Sequence, residues 1–373
     1  MPVVGDHRGM PAALLVLISV LLIGCTRPPE IIGIENAAIP ASTAPEVSRH
    51  RIFIATTRRA SEEPGVFLSA DRAHLLGLAS AEVTVPPTHV VGQLERPEQL
   101  PPDPRTEFSA VNAVIYGNDA AMVAAINREL AARPRGEREL LLFVHGYNNT
   151  TTDALLRLAQ FVEDTGFQGV PILFTWASAA NASRYVYDLN SALVARGKIK
   201  QIANLMAQTN AESSSVFAHS MGTLLTMEGL VDLQQAGTLG RRGTINHIML
   251  ASPDIDVDLF RTQLIQLSPE IREKIYVLVS RDDRALRVSS RIAGGVPRVG
   301  AANPQQLERL GVTVIDLSEI RDSSSGSHSK FAGSPEVVKL IGAGLNTVGR
   351  FGEDTSPALT QILTASPIRI LGN

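Results

Sequence analysis

Short apolar runs alternate with longer stretches of helical periodicity over residues 51–345 of this 373-residue chain. Eight of the short runs predict strands, at residues 51–56, 81–86, 139–144, 170–176, 213–218, 245–251, 274–280 and 311–317. Five longer stretches predict helices, at residues 119–132, 152–165, 190–208, 222–235 and 335–345. Continuous apolar strands that alternate with helices are buried on both faces. The pattern therefore predicts an α/β fold with a mostly parallel central sheet, helices on both faces, and an antiparallel start where no helix separates the first two strands.

Ser220 stands between one of these strands and the helix that follows it, in the sequence SSSVFAHSMGTLL of residues 213–225. A strand, a tight turn that carries a serine, and then a helix form the nucleophile elbow of many hydrolases. The elbow needs small residues on both sides of the serine, because the strand and the helix cross closely there. Ala218 stands where glycine is usual, and Gly222 fills the second position. Ser220 is therefore a candidate nucleophile, with a surface hydroxyl in a turn as the alternative.

The sequence HGYNN follows the strand predicted at residues 139–144 and supplies candidate oxyanion donors. Acyl transfer needs backbone N–H groups aimed at the negative charge that develops on the substrate oxygen. One donor is expected from Met221, directly after the nucleophile, and the second from Tyr147, with Gly146 allowing a tight turn. A plain polar turn is the alternative for this loop. Trp176, after the next strand, is either a wall of the substrate pocket or a packing residue.

Chain order selects the candidate base from the eight histidines. In folds that carry a nucleophile elbow, the nucleophile is followed along the chain by the acid and then by the histidine. Only His328 comes after every candidate acid, in a loop rich in serine and glycine beyond the last predicted strand. An exposed loop histidine is the alternative. His247 lies within an apolar strand and is expected to pack in the core.

Carboxylates follow two of the predicted strands, and the residues alone leave the choice of the acid open. Asp282 and Asp283 follow the strand at residues 274–280, which is the standard position, whereas Asp254 and Asp256 follow the strand before it. A carboxylate in either place can orient a catalytic imidazole and stabilise its charged form.

The first 25 residues have the features of an export signal. A polar start that contains Arg8 precedes an apolar run from Pro11 to Ile23, which is short for a membrane span. The run leads into Leu22-Ile23-Gly24-Cys25, which resembles a bacterial lipobox and implies cleavage before Cys25 and attachment of lipid to it. Cys25 is the only cysteine in the chain. An ordinary secretory signal that contains a cysteine is the alternative.

Composition excludes other classes of protein. The chain is 44% hydrophobic and 19% charged, as globular proteins are, and its formal net charge is -3 without a basic block. Nucleic acid is therefore not expected as a partner. One cysteine allows no intramolecular disulfide and no cysteine-rich metal site, and neither a metal nor an organic cofactor is expected.

The ordered motifs resemble the α/β-hydrolase superfamily, and within it a bacterial branch catalogued as a domain of unknown function. The matching segments are Ile52–Arg58, His145–Asn149, Phe174–Ser178, Ala218–Gly222, Ser252–Phe260, Asp283–Ser289 and Ser327–Ser329. The resemblance spans roughly residues 51–345 and places the acid at Asp283, in the segment DRALRVS. It implies an α/β-hydrolase fold and esterase- or lipase-like activity on a small ester or a lipid.

These motifs predict a triad of Ser220, His328 and Asp283 that forms an acyl-enzyme on the serine and releases it with water. Activity is expected to be highest at neutral to alkaline pH, because the base must be unprotonated. An acyltransferase would use the same triad. A membrane-tethered binding protein that has the fold without turnover is a third hypothesis.

Four segments follow from these predictions. Residues 1–24 are expected to be a lipoprotein signal peptide, 25–50 a flexible tether rich in proline, alanine and serine, 51–350 the α/β-hydrolase domain, and 351–373 a C-terminal tail with no assigned role. The expected location is the bacterial cell envelope, with a lipid anchor in the membrane. Thr26 is not an aspartate, which in a Gram-negative host favours the outer membrane.

Overall fold

The computed structural model describes residues 27–240, 243–321, 326–346, 364 and 366–372. The described strands are β1 (Ser48–Ala60), β2 (Leu68–Val85), β3 (Ser109–Ile115), β4 (Glu139–Val144), β5 (Val170–Thr175), β6 (Ser213–His219), β7 (Thr244–Ala251), β8 (Ile275–Val279), β9 (Thr313–Asp316) and β10 (Arg369–Leu371). The described α-helices are α1 (Asp119–Ala131), α2 (Thr151–Thr165), α3 (Tyr185–Ala195), α4 (Ile199–Met206), α5 (Met221–Gln235), α6 (Val257–Ile265), α7 (Pro269–Arg272), α8 (Arg284–Ile292), α9 (Pro304–Glu308), α10 (Lys330–Gly333) and α11 (Pro335–Leu345).

The described strands form one sheet in the order β10-β9-β8-β7-β6-β4-β5-β1-β2-β3. Neighbouring strands are parallel from β9 through to β1, and β2, β3 and β10 are antiparallel to their neighbours. The predicted parallel sheet with an antiparallel start is therefore confirmed. The sequence pattern did not predict β3, nor β10, which pairs with β9 from within the segment expected to be a tail.

The middle of each central strand is apolar because the sheet is buried on both faces. In β4, Leu140, Leu142 and Val144 belong to the core on one face, whereas Leu141 and Phe143 belong to the core on the other. Successive side chains of a strand point to opposite faces, so a strand between two cores needs apolar residues at every position. The described residues of both cores lie at or after Ile31.

Two helices at the carboxyl ends of the strands were not predicted from periodicity. The helices α6 and α8 have nine residues each and begin at aspartate N-caps, Asp256 and Asp283. In α8 only Leu286 and Ser289 are buried, and three of the nine residues are arginines, so the sequence contains no long apolar run here. The helix predicted at residues 190–208 begins earlier, at Tyr185, and a 3₁₀ turn divides it into α3 and α4.

The flexible tether predicted for residues 25–50 is corrected by the structure for residues 27–50, which lie against the domain. Ile31 and Ile32 are buried in the same core as strand residues of the sheet. The N–H of Ile32 donates to the Gly65 carbonyl at 3.0 Å, and the N–H of Gly33 donates to the Ala110 carbonyl at 2.7 Å. The burial of two isoleucines offsets the conformational entropy that is lost when this segment becomes ordered. The proline-rich composition of the segment gave no sign of this burial. The predicted signal peptide and Cys25 lie outside the described residues.

Among the described residues, no helix has the length and apolar content needed to cross a bilayer.

A buried charged cluster holds the loop after β2 against α2. The two ring nitrogens of His89 donate to Glu95 at 2.7 Å and to Asp164 at 2.8 Å. Burial alone lowers the pKa of His89, but the hydrogen bonds to Asp164 and Glu95 outweigh it and raise the pKa to about 9. The charged imidazole therefore stabilises the folded chain fully below its ordinary pKa of about 6.5, and this stabilisation is lost as the pH rises through about 9.

The His89→Gln variant is expected to lose this pH dependence, because glutamine cannot carry the charge. Between pH 6.5 and 10, the free energy of unfolding of the wild type should fall by on the order of 2 kcal/mol relative to the variant. Urea unfolding at several pH values measures the difference. Parallel pH profiles for the two proteins would show that His89 is not charged in the folded state.

Candidate active site

Ser220 occupies a strained turn between β6 and α5. Its backbone has φ 52° and ψ -126°, a conformation that non-glycine residues rarely adopt. The N–H of Ser220 donates to the Ala251 carbonyl of β7 at 3.0 Å, which fixes the turn to the neighbouring strand. Strain of this kind persists where the surrounding structure enforces it, and it is common at functional sites. The strand, turn and helix predicted around Ser220 are all present.

Two glycines allow the turn to approach the end of β4. A methyl group on Gly222 would lie 2.4 Å from the His145 carbonyl oxygen, and one on Gly146 would lie 2.8 Å from the Ser220 Cβ. Real Cβ atoms do not approach backbone atoms so closely. Ala218, the departure from the usual elbow sequence, is fully buried at the end of β6 and fits there.

The Gly222→Ala variant is expected to be destabilised, because its added methyl group meets the backbone of β4 rather than a movable side chain. Overpacking of this kind lowers the free energy of unfolding by about 1–3 kcal/mol. Urea unfolding measures the loss. Gly117→Ala is the matched control, since a Cβ at that position meets nothing within 4 Å. Equal stability of the two variants would contradict the close packing of the turn.

His328 and Asp283 meet across two loops that follow β8 and β9. The His328 Nδ1 donates to the Asp283 Oδ2 at 2.7 Å, and the Asp283 carboxylate is fully buried. The other carboxylate oxygen of Asp283 accepts the N–H of Leu286 at 3.0 Å and caps α8. One aspartate thus begins a helix and orients the imidazole, which leaves the His328 Nε2 free of the carboxylate.

The other candidate acids have different partners. Asp254 accepts the Tyr185 hydroxyl at 2.9 Å, contacts Ser289, and lies 3.3 Å from the Arg298 Nε. Asp256 caps α6, where its carboxylate accepts the N–H groups of Asp258 and Leu259.

Asp282 anchors the histidine loop. It accepts the Ser327 hydroxyl at 2.7 Å and pairs with the buried Lys330 ammonium at 2.9 Å. The ammonium group of Lys330 also donates to the Leu317 carbonyl at 2.8 Å. The residues on both sides of His328 are therefore tied to the same aspartate. Of the four candidates, Asp283 is the carboxylate that contacts His328.

The backbone of His328 lies directly beside the nucleophile turn. Its carbonyl oxygen accepts from the His219 Nε2 and from the Ser252 hydroxyl, each at 3.1 Å. The rings of His219 and His328 have centroids 4.7 Å apart. Burial, and then the charge of His328, lower the pKa of His219 well below its ordinary value, so the imidazole beside the nucleophile stays neutral.

Within the described residues, no hydrogen bond joins the Ser220 hydroxyl to the His328 ring at 3.5 Å or less. Hydrogen bonds of this kind are often long in the absence of substrate and tighten in the Michaelis complex.

The two predicted oxyanion donors are backbone N–H groups at the start of α5 and in the HGYNN loop. The N–H groups of Met221 and Tyr147 have no hydrogen-bond acceptor among the described residues. The helix dipole adds positive character at the Met221 end. Both N–H groups therefore meet one requirement for oxyanion donors, which is that no protein acceptor occupies them.

Residues 118–344 match the family described as "Alpha/beta hydrolase of unknown function (DUF900)". The match covers more than half of the chain. The protein belongs to this α/β-hydrolase family. No curated protein matches it.

Solved structures of other hydrolases are similar at low identity. An esterase from Rhizomucor miehei is 11% identical with a TM-score of 0.35, and the alignment covers 92% of this chain and 98% of the esterase. Carboxyl esterase 2 from Tuber melanosporum is 9% identical with a TM-score of 0.37, and the alignment covers 89% of this chain and 97% of that esterase. The hyperthermophilic esterase from Pyrobaculum calidifontis is 11% identical with a TM-score of 0.36, and the alignment covers 90% of this chain and 97% of that esterase. The family assignment rests on the match to residues 118–344 and not on these likenesses.

Two buried charged side chains, whose roles the sequence did not predict, hold the HGYNN loop. Arg58 donates to the Asn149 carbonyl at 2.7 Å and to the Ser178 carbonyl at 3.0 Å. Asp188, fully buried, accepts the Ser178 hydroxyl at 2.5 Å and the Asn148 N–H at 3.2 Å. Burial lowers the pKa of Arg58 to about 10, partly offset by the charge of Asp188. A charged residue that continues an apolar strand, as Arg58 does, is the signal in the sequence.

Trp176 is a packing residue in this structure rather than a wall of the pocket. It is fully buried, its indole N–H donates to the His145 carbonyl at 2.9 Å, and the two rings stack with centroids 5.0 Å apart. Burial, and then the charge of Arg58, lower the pKa of His145 to about 3, so this imidazole remains neutral and structural. His247 is also buried, in β7, as predicted.

Among the described residues, no group of three or more histidine, cysteine, aspartate or glutamate side chains has a geometry that could hold a metal ion.

Proposed function

We propose that this α/β hydrolase is a serine hydrolase that cleaves carboxylic esters through an acyl-enzyme on Ser220. The observation that carries the proposal is the hydrogen bond of 2.7 Å between His328 and the buried Asp283, formed beside the strained turn of Ser220. A nucleophile, a base and an acid that come from three separate strand ends and meet at one place are the arrangement required for nucleophilic acyl transfer.

In the proposed mechanism, the Ser220 Oγ attacks the ester carbonyl while the His328 Nε2 removes the serine proton. Asp283 accepts the Nδ1–H, holds the imidazole in the required tautomer and stabilises its charged form. The imidazolium then protonates the leaving alcohol as the C–O bond breaks. A water molecule, deprotonated by His328, attacks the acyl-enzyme, and the acid leaves as Ser220 recovers its proton.

The oxyanion formed in each step is proposed to lie between the N–H groups of Met221 and Tyr147. A hole made of backbone donors is effective because the donors are oriented before the reaction starts. Arg58 and Asp188 support this role, since their hydrogen bonds fix the carbonyl and amide groups of the residues after Tyr147.

Hydrolysis of p-nitrophenyl esters of increasing acyl length tests the proposal. The chain from residue 25 to 373, with Cys25→Ser so that it carries no lipid, should release p-nitrophenol with saturation kinetics. Turnover should decline in acid, because a protonated His328 cannot accept the serine proton. The acyl length with the highest kcat/KM reports the size of the acyl pocket. An absence of turnover on every ester would contradict the proposal and favour a binding protein with a hydrolase fold.

A further inference from the structure

We infer that the rim of the active site around α8 is a docking surface for an anionic membrane, and that the substrate is an acyl ester of a membrane lipid. The substrate part of this inference rests on the proposed function, since it requires that Ser220 turns over esters. The docking part stands on charge, exposure and the position of the chain near residue 27.

The outer side of α8 combines positive charge with exposed apolar side chains. Arg284, Arg287 and Arg291 are exposed, and none of them forms an ion pair with another described residue. Val288 and Ile292, on the same helix, are 53% and 56% exposed. The whole chain carries a formal net charge of -3, so the positive charge of α8 is opposite in sign to the net charge of the protein.

This helix borders the proposed oxyanion loop. Ser289, on the inner side of α8, is 3.1 Å from the Tyr185 hydroxyl at the start of α3. The Tyr185 ring meets the Tyr147 ring edge to face, with centroids 5.3 Å apart. Val186, next to Tyr185, is 62% exposed and adds to the apolar surface. The inner side of α8 therefore packs against residues that border the HGYNN loop, and its basic and apolar outer side is exposed next to them.

The beginning of the described chain lies at the same rim. Arg27 donates to the Asn148 carbonyl at 2.9 Å, contacts the Ala180 carbonyl, and pairs with Asp153 at 3.0 Å. Asn148 is the neighbour of Tyr147 in the oxyanion loop. Cys25, the proposed site of lipid attachment, precedes Arg27 by two residues, a span of at most about 7 Å. A lipid on Cys25 would hold this rim, and not the opposite end of the sheet, against the bilayer.

A membrane accounts for these features better than a second copy of the chain. Helix surfaces that combine arginine with exposed aliphatic side chains bind the boundary between anionic headgroups and acyl chains. A symmetric dimer through the same surface would place the arginines of α8 against their own copies. Ester groups of membrane lipids lie at the headgroup boundary, the depth that a docked rim would reach. Ser220 is buried, so a substrate has to enter the site to reach its hydroxyl.

Co-flotation with vesicles tests the docking. The chain from residue 25 to 373 with Cys25→Ser is mixed with vesicles of phosphatidylcholine alone or with about a third of phosphatidylglycerol. The wild type should bind the anionic vesicles at least about tenfold more tightly than the neutral ones. The double variant Arg287→Gln/Arg291→Gln should bind the anionic vesicles at least about tenfold more weakly than the wild type. Arg128→Gln/Arg135→Gln is the matched control, since both arginines are exposed near the amino ends of the strands, and it should bind as the wild type does.

Release of fatty acid from the same anionic vesicles tests the substrate, with p-nitrophenyl butyrate as the soluble reference. The α8 double variant should release fatty acid about tenfold more slowly than the wild type and cleave the soluble ester at the same rate. The docking surface is overturned if the wild type binds both kinds of vesicle equally, or if the α8 variant binds them as tightly as the wild type does. It is also overturned if the protein self-associates and does not bind vesicles. Turnover of the soluble ester without release of fatty acid overturns the lipid substrate alone. If the wild type neither cleaves the soluble ester nor releases fatty acid, the proposed function itself is refuted.

Discussion

Ser220→Ala is expected to lower kcat for ester hydrolysis by about 10⁴- to 10⁶-fold. The loss is large because the hydroxyl forms the covalent intermediate, and no other group can replace it in the turn. The variant should keep the fold of the turn, because the neighbours that hold the backbone of residue 220 at φ 52° remain in place. The free energy of unfolding should therefore change little while turnover disappears. Steady-state kinetics and urea unfolding on the same preparation separate the two effects.

Ser214→Ala is the matched control for this variant. Ser214 is a half-buried serine near the other end of the same strand, where the structure places no catalytic group. It should retain wild-type kcat and KM. If Ser220→Ala kept a substantial part of the wild-type kcat, the covalent mechanism on this residue would be wrong.

Asp283→Asn is expected to lower kcat by about 10⁴-fold. The asparagine side chain has nearly the same shape, but its amide carries no charge to stabilise the imidazolium and can hold the ring in the wrong tautomer. The change should affect kcat far more than KM, because Asp283 contacts the base and not the substrate. Its second contact, the cap of α8, should survive, since asparagine is also a good N-cap.

Two aspartates provide the comparison for Asp283. Asp256→Asn changes another helix cap in the same way but lies outside the triad, so it should leave kcat near the wild-type value. Asp254→Asn alters a buried network with Tyr185 and Arg298 and should act mainly through stability. If Asp254→Asn removed turnover and Asp283→Asn spared it, the acid of the triad would be misassigned.

The proposed catalytic residues could be predicted because each of them follows a strand or begins a helix. The apolar run before Ser220 and the helical pattern after it predict the elbow, and the order of serine, acid and histidine selects His328. The choice among four aspartates was different, since every one of them follows a strand at the same edge of the sheet. The resemblance of DRALRVS favoured Asp283, and the contact of its carboxylate with His328 agrees with that choice.

The supporting residues were not predictable, because their partners are far away in the sequence. Arg58 reaches Asn149 and Ser178, and Lys330 reaches Asp282, across 48 to 120 positions of the chain. No local period reports a contact of that kind. The packing of Ile31 against the domain could not be predicted for a different reason. A proline-rich composition predicts a flexible tether, and it does not show that a few apolar residues within the segment are buried in the core.

Mass spectrometry of the protein after reaction with a fluorophosphonate tests the central claim most directly. The probe reacts with a serine that a neighbouring base has activated and leaves passive serines unmodified. The account predicts one adduct per chain, on the peptide that contains Ser220, with labelling slowed strongly in His328→Ala and absent in Ser220→Ala. A wild-type chain that stays unlabelled, or that is labelled at another serine, would contradict it.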